Sequence, residues 1–232
     1  MPSDQLNLDI PEVESGRLPS RITPTQPNVG FTPFDDPAYL FEPWWPGVRA
    51  LAWVDGGRLI RLRAEGLADA LTTFGELSDE LPERLMDDGV VLDGWLLTLD
   101  EGGWLDIDLL RRRLAGEHHA GRPAFVASDL LWCAGRPWAR RPFAARRARL
   151  EAVLLDGDRC VVSHALAGEG TLMAEALARF GLEALSARRL DARYRSGAAG
   201  DAWLRIPISP APIVERPRLA LIQRLPFDEN SE

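Results

Sequence analysis

The tripeptide Asp55-Gly56-Gly57 stands between a mostly apolar run, residues 48–54, and a stretch at 58–63 that alternates apolar and polar side chains. Glycine accepts the left-handed backbone that a tight hairpin demands, so the pattern predicts two antiparallel strands joined at this point. Residues 90–93, 96–99, 160–163, 182–188 and 202–208 also read as strands, and the nearly unbroken apolar run at 124–132 reads as a central one. Helical spacing predicts helices at 79–86, 106–115, 143–155 and 170–180. Their inward residues are Ile107, Leu110 and Leu114; Phe143, Leu150, Val153 and Leu154; and Leu172, Met173, Ala176, Leu177 and Phe180. Arg146, Arg147 and Arg149 are expected on the outer face of the third. Hairpins interspersed with helices, without regular strand-helix-strand alternation, predict an α+β domain with antiparallel sheets flanked by helices.

The ends of the chain differ from its centre. Residues 1–36 are rich in Pro, Ser, Thr and acidic side chains with little periodicity, so a disordered arm is expected there. The folded unit is expected over 37–208. Residues 209–232 form a Pro-rich tail with one apolar segment at 219–225.

Composition narrows the chemistry. All 27 basic side chains among the 232 residues are arginine, and there is no lysine. The net charge of −8 argues against a protein that is basic all over, although it leaves room for one basic face. Arg136, Arg140, Arg141, Arg146, Arg147 and Arg149 supply the arginine-rich stretch from which such a face could be built, and DNA contact is possible through them. A solvated helix face is the blander reading of the same residues. Cys133 and Cys160 sit in apolar stretches and read as buried thiols. His118, His119 and His164 lack metal-ligand spacing. No apolar run reaches the ~18 residues of a membrane-spanning helix, and no signal peptide is visible, so a cytoplasmic location without membrane contact is expected.

Five segments resemble, in order, the motifs of ATP-dependent DNA ligases. Glu42-Pro43-Trp44-Trp45-Pro46-Gly47-Val48-Arg49 is similar to Glu-x-Lys-x-Asp-Gly-x-Arg, with Glu42, Gly47 and Arg49 matching. Asp93-Gly94-Trp95 stands where the family has Asp-Gly-Glu. Phe125 to Leu131 resembles the family's aromatic-x-x-Phe-Asp-Leu-Leu strand, and Gly135-Arg136-Pro137 follows it. Glu183 to Asp191 resembles Glu-Gly-x-x-x-Lys-x-x-Asp, and Trp203 to Pro207 resembles Trp-x-Lys-x-Lys. The resemblance covers about residues 38–208. It implies the DNA-ligase-like nucleotidyltransferase (ATP-grasp-like) fold of an adenylation domain. The stretch after Ile208 is too short for the β-barrel domain of such ligases, so none is expected.

The resemblance also implies a nucleotide pocket whose functional positions are altered here. A lysine amine would attack the α-phosphate of ATP, and Trp44 occupies its place. An indole nitrogen is not nucleophilic, and arginine, protonated at any useful pH, cannot take over the role. Pro46 stands for the aspartate of the first motif, and Trp95 for the glutamate that would meet the ribose or metal. Ser128 stands for the adenine-stacking aromatic, and Arg188, Arg205 and Pro207 for lysines. Glu42, Gly47, Arg49, Asp93 and Glu183 complete the vestigial pocket, which Trp44 and Trp95 are expected to fill. The implied function is a catalytically dead, ligase-like binding or scaffold module in DNA repair, using neither ATP nor Mg²⁺ and meeting a protein partner. The alternatives are a nucleotide sensor, or an atypical nucleotidyltransferase that dispenses with a lysyl-AMP intermediate, in which an acceptor attacks ATP directly and Asp93 and Glu183 bind the Mg²⁺.

Overall fold

The structure, a computed structural model, describes residues 16–195, 197–198, 200–209, 211–212 and 217–222. In chain order the strands β1 (Thr25–Gln26), β2 (Asn28–Val29), β3 (Asp35–Pro43), β4 (Val48–Asp55) and β5 (Arg58–Ala64) come first. The helices α1 (Ala70–Thr73) and α2 (Leu77–Glu83) follow, then β6 (Val90–Leu99), α3 (Ile107–Leu114), β7 (Arg122–Cys133), β8 (Arg136–Pro137) and α4 (Phe143–Val153). Last are β9 (Cys160–Val162), β10 (Leu166–Glu169), α5 (Gly170–Arg179), β11 (Ala184–Arg189), β12 (Gly197–Ala198), β13 (Trp203–Pro207) and α6 (Leu219–Ile222).

Two larger sheets organise these elements. One has the order β5-β4-β6-β7-β8, with β9 also paired to β7, and the other runs β10-β3-β11-β13-β2. The pairings are antiparallel except for β7 with β9, β13 with β2 and β1 with β12, which are parallel. The hairpin at Asp55-Gly56-Gly57 forms as expected, with β4 and β5 in antiparallel register.

Strand alternation sorts side chains between two cores. Ala50, Ala52 and Val54 of β4 and Leu92 and Leu96 of β6 face a first core shared with Phe74, Leu77 and Leu81 around α1 and α2, Leu110 of α3 and Leu150 of α4. A second core gathers Phe41, Leu185, Ala187 and Ile206 of the five-stranded sheet, Met173 and Leu177 of α5, and Trp95 and Leu97 of β6. Leu219 and Ile222 of α6 join it, so part of the Pro-rich tail is docked, with the Leu105 N–H donating to the Pro217 carbonyl at 2.7 Å.

Several expectations need correction. The arm is not disordered throughout: residues 16–34 lie along the sheets as a strap, carrying β1 and β2, while 1–15 fall outside the described residues. Leu18 and Ile22 of this strap pack on Leu51, Trp53, Val91 and Leu131, and the Trp53 indole N–H donates to the Pro19 carbonyl at 2.8 Å. The two short strands expected on either side of Gly94 are one strand, β6, buried at all ten positions. Gly94 does not break it. A Cβ there would stand 2.3 Å from the Val126 carbonyl oxygen, so glycine lets β7 approach where the register shifts. On α4, Arg146 and Arg147 point inward and are 3% and 7% exposed. Ile107 and Leu172, expected inward, are exposed, whereas Arg113 on α3 is fully buried.

Candidate functional site

Strands of the two larger sheets approach one another through a set of polar side chains, with Arg188 of β11 reaching Ser128 and Asp129 of β7. Glu42 comes from β3, Arg49 from β4, Asp93 from β6, Ser128 and Asp129 from β7, Ser186 and Arg188 from β11, and Trp203 from β13. A register shift between Asp93 and Gly94 leaves Ser128 without a strand partner, so Ser128 and Asp129 both reach Arg188. Helix α4 then adds Arg146 and Arg147 from the side.

The result is a buried network of guanidinium–carboxylate pairs. Arg49 grips Asp93 bidentately, with Nε to Oδ1 at 2.9 Å and Nη2 to Oδ2 at 2.5 Å, and the Tyr194 hydroxyl donates to Oδ2 at 2.7 Å. Arg146 holds Asp129 in the same two-pronged way at 2.7 and 2.8 Å, and Arg188 Nη1 reaches the second Asp129 oxygen at 3.2 Å. Arg147 donates to Glu42 at 2.8 Å and to Glu151 at 2.6 Å. Arg188 Nε stands 3.5 Å from Glu42 Oε2, and among the described residues neither atom has a hydrogen bond. Arg49, Arg146, Arg147 and Arg188 are thus engaged with protein carboxylates, where a phosphate-binding site would present free guanidinium forks.

Burial pulls the carboxyl groups one way and the arginines pull them the other. At Asp93 burial raises the pKa, yet the charge and hydrogen bonds of Arg49 outweigh it and hold the group below its ordinary value. At Glu42 burial is the larger effect, and the carboxyl stays above its ordinary value despite Arg188 and Arg147. Burial, followed by the Asp93 charge, lifts the Tyr194 hydroxyl well above its usual range, so the phenol remains a proton donor. For Asp93 the stabilisation is complete above the unfolded carboxylate value of about 4 and disappears as pH falls through its lower folded value. For Glu42 the sign is reversed, and its contribution shrinks as pH rises from the ordinary glutamate value through the raised one. Asp93→Asn is therefore expected to flatten the acid limb of a stability–pH curve from urea melts, and Glu42→Gln the limb above it. An unchanged acid limb in Asp93→Asn would remove Asp93 from the account.

Above the charges lies an aromatic layer. Trp44 and Trp95 meet edge to face with ring centroids 4.7 Å apart, and Trp203 stands 6.1 Å from Trp44. Arg49 and Arg188 lie over the Trp203 ring at 4.4 and 4.1 Å, and Arg205 lies over Trp44 at 5.3 Å. The Trp203 indole N–H donates to Ser186 Oγ at 2.8 Å. The cavity beside the network, lined by Arg146, Arg188, Tyr194 and Trp203, measures about 30 Å³, room for little more than a water molecule.

Glu42, Trp44, Arg49, Asp93, Trp95, Ser128, Arg188 and Arg205 therefore converge, and Pro46 and Gly47 lie in the turn leading into β4. Glu183 does not join them. It is exposed just before β11, and strand alternation places it on the face opposite Ser186 and Arg188. Arg146, Arg147, Tyr194 and Thr25 enter the site without having been singled out for it. The Thr25 carbonyl accepts from Arg49, and its N–H donates to the Tyr194 hydroxyl at 3.2 Å, so the strap closes over the ion pairs. Residue spacing along the chain could not reveal these partnerships, because they join positions up to 169 residues apart. Cys133 and Cys160 are buried, which pushes their thiols up to about 11 and about 12, as inert interior thiols would be. Among the described residues no helix is long and apolar enough to cross a membrane.

No protein-family model matches the chain. Over 169 residues it is 31% identical to the multifunctional non-homologous end joining protein LigD of Mycolicibacterium smegmatis, an alignment covering 72% of the chain and 21% of that relative. The solved structure of mycobacterial DNA ligase D complexed with ATP and MES superposes with a TM-score of 0.68 at 27% identity, over 80% of this chain and 60% of the other. The fold is that of an ATP-dependent DNA ligase adenylation domain. The DNA ligase of Thermococcus onnurineus, 26% identical over 177 residues, covers 72% of the chain and 31% of its own length. The chain spans about a fifth of the length of the LigD relative it matches. Within the ligase-like fold, the site between the sheets is the one built from the altered motifs.

Proposed function

We propose that this chain is a non-catalytic, ligase-like domain that serves as a binding or scaffold module in DNA repair. The observation that carries the proposal is Trp44, an indole at the position where the motif requires a nucleophilic lysine, in a chain that has no lysine. The surrounding residues do not fit a nucleotide either. Arg49 and Arg188 are bound to Asp93 and Asp129, and the three tryptophans take up the space above them. Neither ATP nor Mg²⁺ has a place in this reading. The folded unit is residues 37–208, clasped by the strap and by α6. The partner is a protein of the repair machinery in the cytoplasm, as the end-joining context of the LigD relative suggests. DNA contact falls to Arg136, Arg140 and Arg141, which are exposed, since Arg146 and Arg147 are buried and Arg149 is paired with Asp87.

The test is calorimetric and tryptophan-fluorescence titration of the protein with ATP and Mg²⁺. Neither heat nor a spectral change is expected, although Trp44, Trp95 and Trp203 would report any occupant of the site. Saturable binding at micromolar concentration would overturn the proposal in favour of a nucleotide sensor.

A further inference from the structure

The segment from Ala134 to Leu150 holds six arginines and no carboxylate, in a chain whose net charge is −8. Three of the six are accounted for by ion pairs: Arg146 with Asp129, Arg147 with Glu42 and Glu151, and Arg149 with Asp87. Arg136, Arg140 and Arg141 are exposed, and among the described residues none of them is ion-paired. The loop at 190–195 lies alongside, fixed by the Tyr194 N–H donating to the Ala139 carbonyl at 2.9 Å. It adds exposed Arg193 and Arg195, while its one carboxylate, Asp191, is taken by Arg189.

Within this basic surface lies an open groove of about 620 Å³, lined by Arg136, Pro137, Trp138, Arg141 and Ala145. Its lining is chiefly apolar although two of its five residues are arginines. The groove is held in shape from below. The Trp138 and Ala139 N–H groups both donate to the Leu131 carbonyl, at 2.9 and 3.1 Å, and the Arg141 N–H donates to the Trp138 carbonyl at 2.8 Å. Trp138 also packs against the first core, and Arg149 lies 6.0 Å from its ring.

We infer that this groove is a docking site for unpaired nucleic-acid strand, with a base seated against Trp138 and the flanking phosphates held by Arg136, Arg140 and Arg141. The charge calls for a polyanion, and the apolar wall beside a fixed indole calls for a ligand that carries flat, unshielded faces between its charges. A single strand offers both, whereas a duplex hides its base faces in the stack and an acidic peptide has none. The inference rests on the reading of the chain as a repair-linked binding module and deepens it by naming the ligand and its seat.

The experiment is fluorescence anisotropy with three probes: labelled (dT)16, a 16-base-pair duplex, and a polyglutamate peptide, each at two salt concentrations. (dT)16 is expected to bind most tightly and to weaken as salt rises. Trp138→Ala should weaken (dT)16 binding about tenfold with little change in salt dependence, in line with the loss of one stacked base. Arg136→Glu with Arg141→Glu should instead flatten the salt dependence, by about 0.7 in log–log slope for each phosphate that is no longer neutralised. Because Trp138 touches the core, Trp138→Phe supplies a folded control that should retain most of the affinity, and the arginine variants lie at exposed positions. Duplex bound as tightly as (dT)16, or (dT)16 affinity unmoved by Trp138→Ala in folded protein, would overturn the inference. Equal binding of polyglutamate would also overturn it and would make the surface a protein-docking site. The ATP titration reads the aromatic site between the sheets and not this groove. ATP binding with intact (dT)16 binding would therefore remove the non-catalytic reading alone, and silence toward both ligands would remove the groove alone.

Discussion

Replacing Asp129 by alanine is expected to destabilise the protein by about 3–5 kcal/mol, the range found when one partner of a buried ion pair is removed. Asp129 is fully buried and accepts from two arginines that are themselves 3% and 5% exposed, Arg146 and Arg188. Its Oδ1 also accepts the Leu130 N–H at 2.8 Å. Without the carboxylate, Arg146 keeps only the carbonyls of Arg141 and Ala192, at 2.7 and 2.9 Å, and its charge is left in the interior with no counter-ion. Arg188 retains Ser128 and its longer approach to Glu42, so the loss should fall toward the lower end of the range. The cost reflects stranded charge more than the net worth of the pair. Asp129→Leu combined with Arg146→Met should therefore recover part of what Asp129→Ala loses, since matched apolar side chains leave one fewer unpaired ion. Urea denaturation of the two variants beside the wild-type protein measures this directly. A loss below about 1 kcal/mol in Asp129→Ala, the size typical of surface pairs, would mean that water reaches the network and that the site is not closed.

That network also marks where sequence reasoning stopped. The hairpin at Gly56-Gly57, the central strand β7 and the α+β class follow from local chemistry, and they were legible because period-two and period-3.6 patterns arise within a dozen residues. The convergence of Glu42, Trp44, Arg49, Asp93 and Arg188 was legible through the ordered resemblance to ligase motifs, since those motifs mark strands that line one space. The inward turn of Arg146 and Arg147 was not legible. On composition they belong to a solvated helix face, and only Asp129 and Glu42, on strands 17 and 105 residues away, make their burial tolerable. Helical periodicity sorts apolar from polar, and it has no means of recognising an arginine whose counter-charge sits on another element. The same limit applies to the strap. Its Pro-rich sequence has too little hydrophobic content to fold alone, but Leu18 and Ile22 pack on side chains of the six-stranded sheet and the Thr25 carbonyl accepts from Arg49 of β4. Glu183 failed for a simpler reason: the motif fixed its place along the chain, whereas the pleat decided which face it took.

The adjacent residues Trp44 and Trp45 should separate sharply under mutation, because the turn after β3 sends them to different environments. Trp45 is 1% exposed, belongs to the second core, and donates its indole N–H to Ser163 Oγ at 2.9 Å. Trp45→Ala should cost about 3–5 kcal/mol, as large-to-small aromatic substitutions in cores do, with a further penalty from the lost hydrogen bond to the buried Ser163 hydroxyl. Trp44 is half-buried and rests against Trp95 and Arg205. Its removal forfeits an aromatic pair worth about 0.5–1.5 kcal/mol together with part of its burial, so Trp44→Ala should remain folded under conditions that unfold Trp45→Ala. The milder variant is the informative one for function. It takes one ring out of the layer above Arg49, Asp93 and Arg188 while leaving their ion pairs in place. If those pairs as well as the rings exclude nucleotide, Trp44→Ala will still give no heat with ATP and Mg²⁺. If the rings alone exclude it, the variant will bind where the wild-type protein does not, and the indole at the nucleophile position will be a stopper over a pocket that is otherwise competent. Thermal melts rank the two substitutions, and the same calorimetric titration, run on Trp44→Ala, decides between a site closed by aromatics and a site closed by charge.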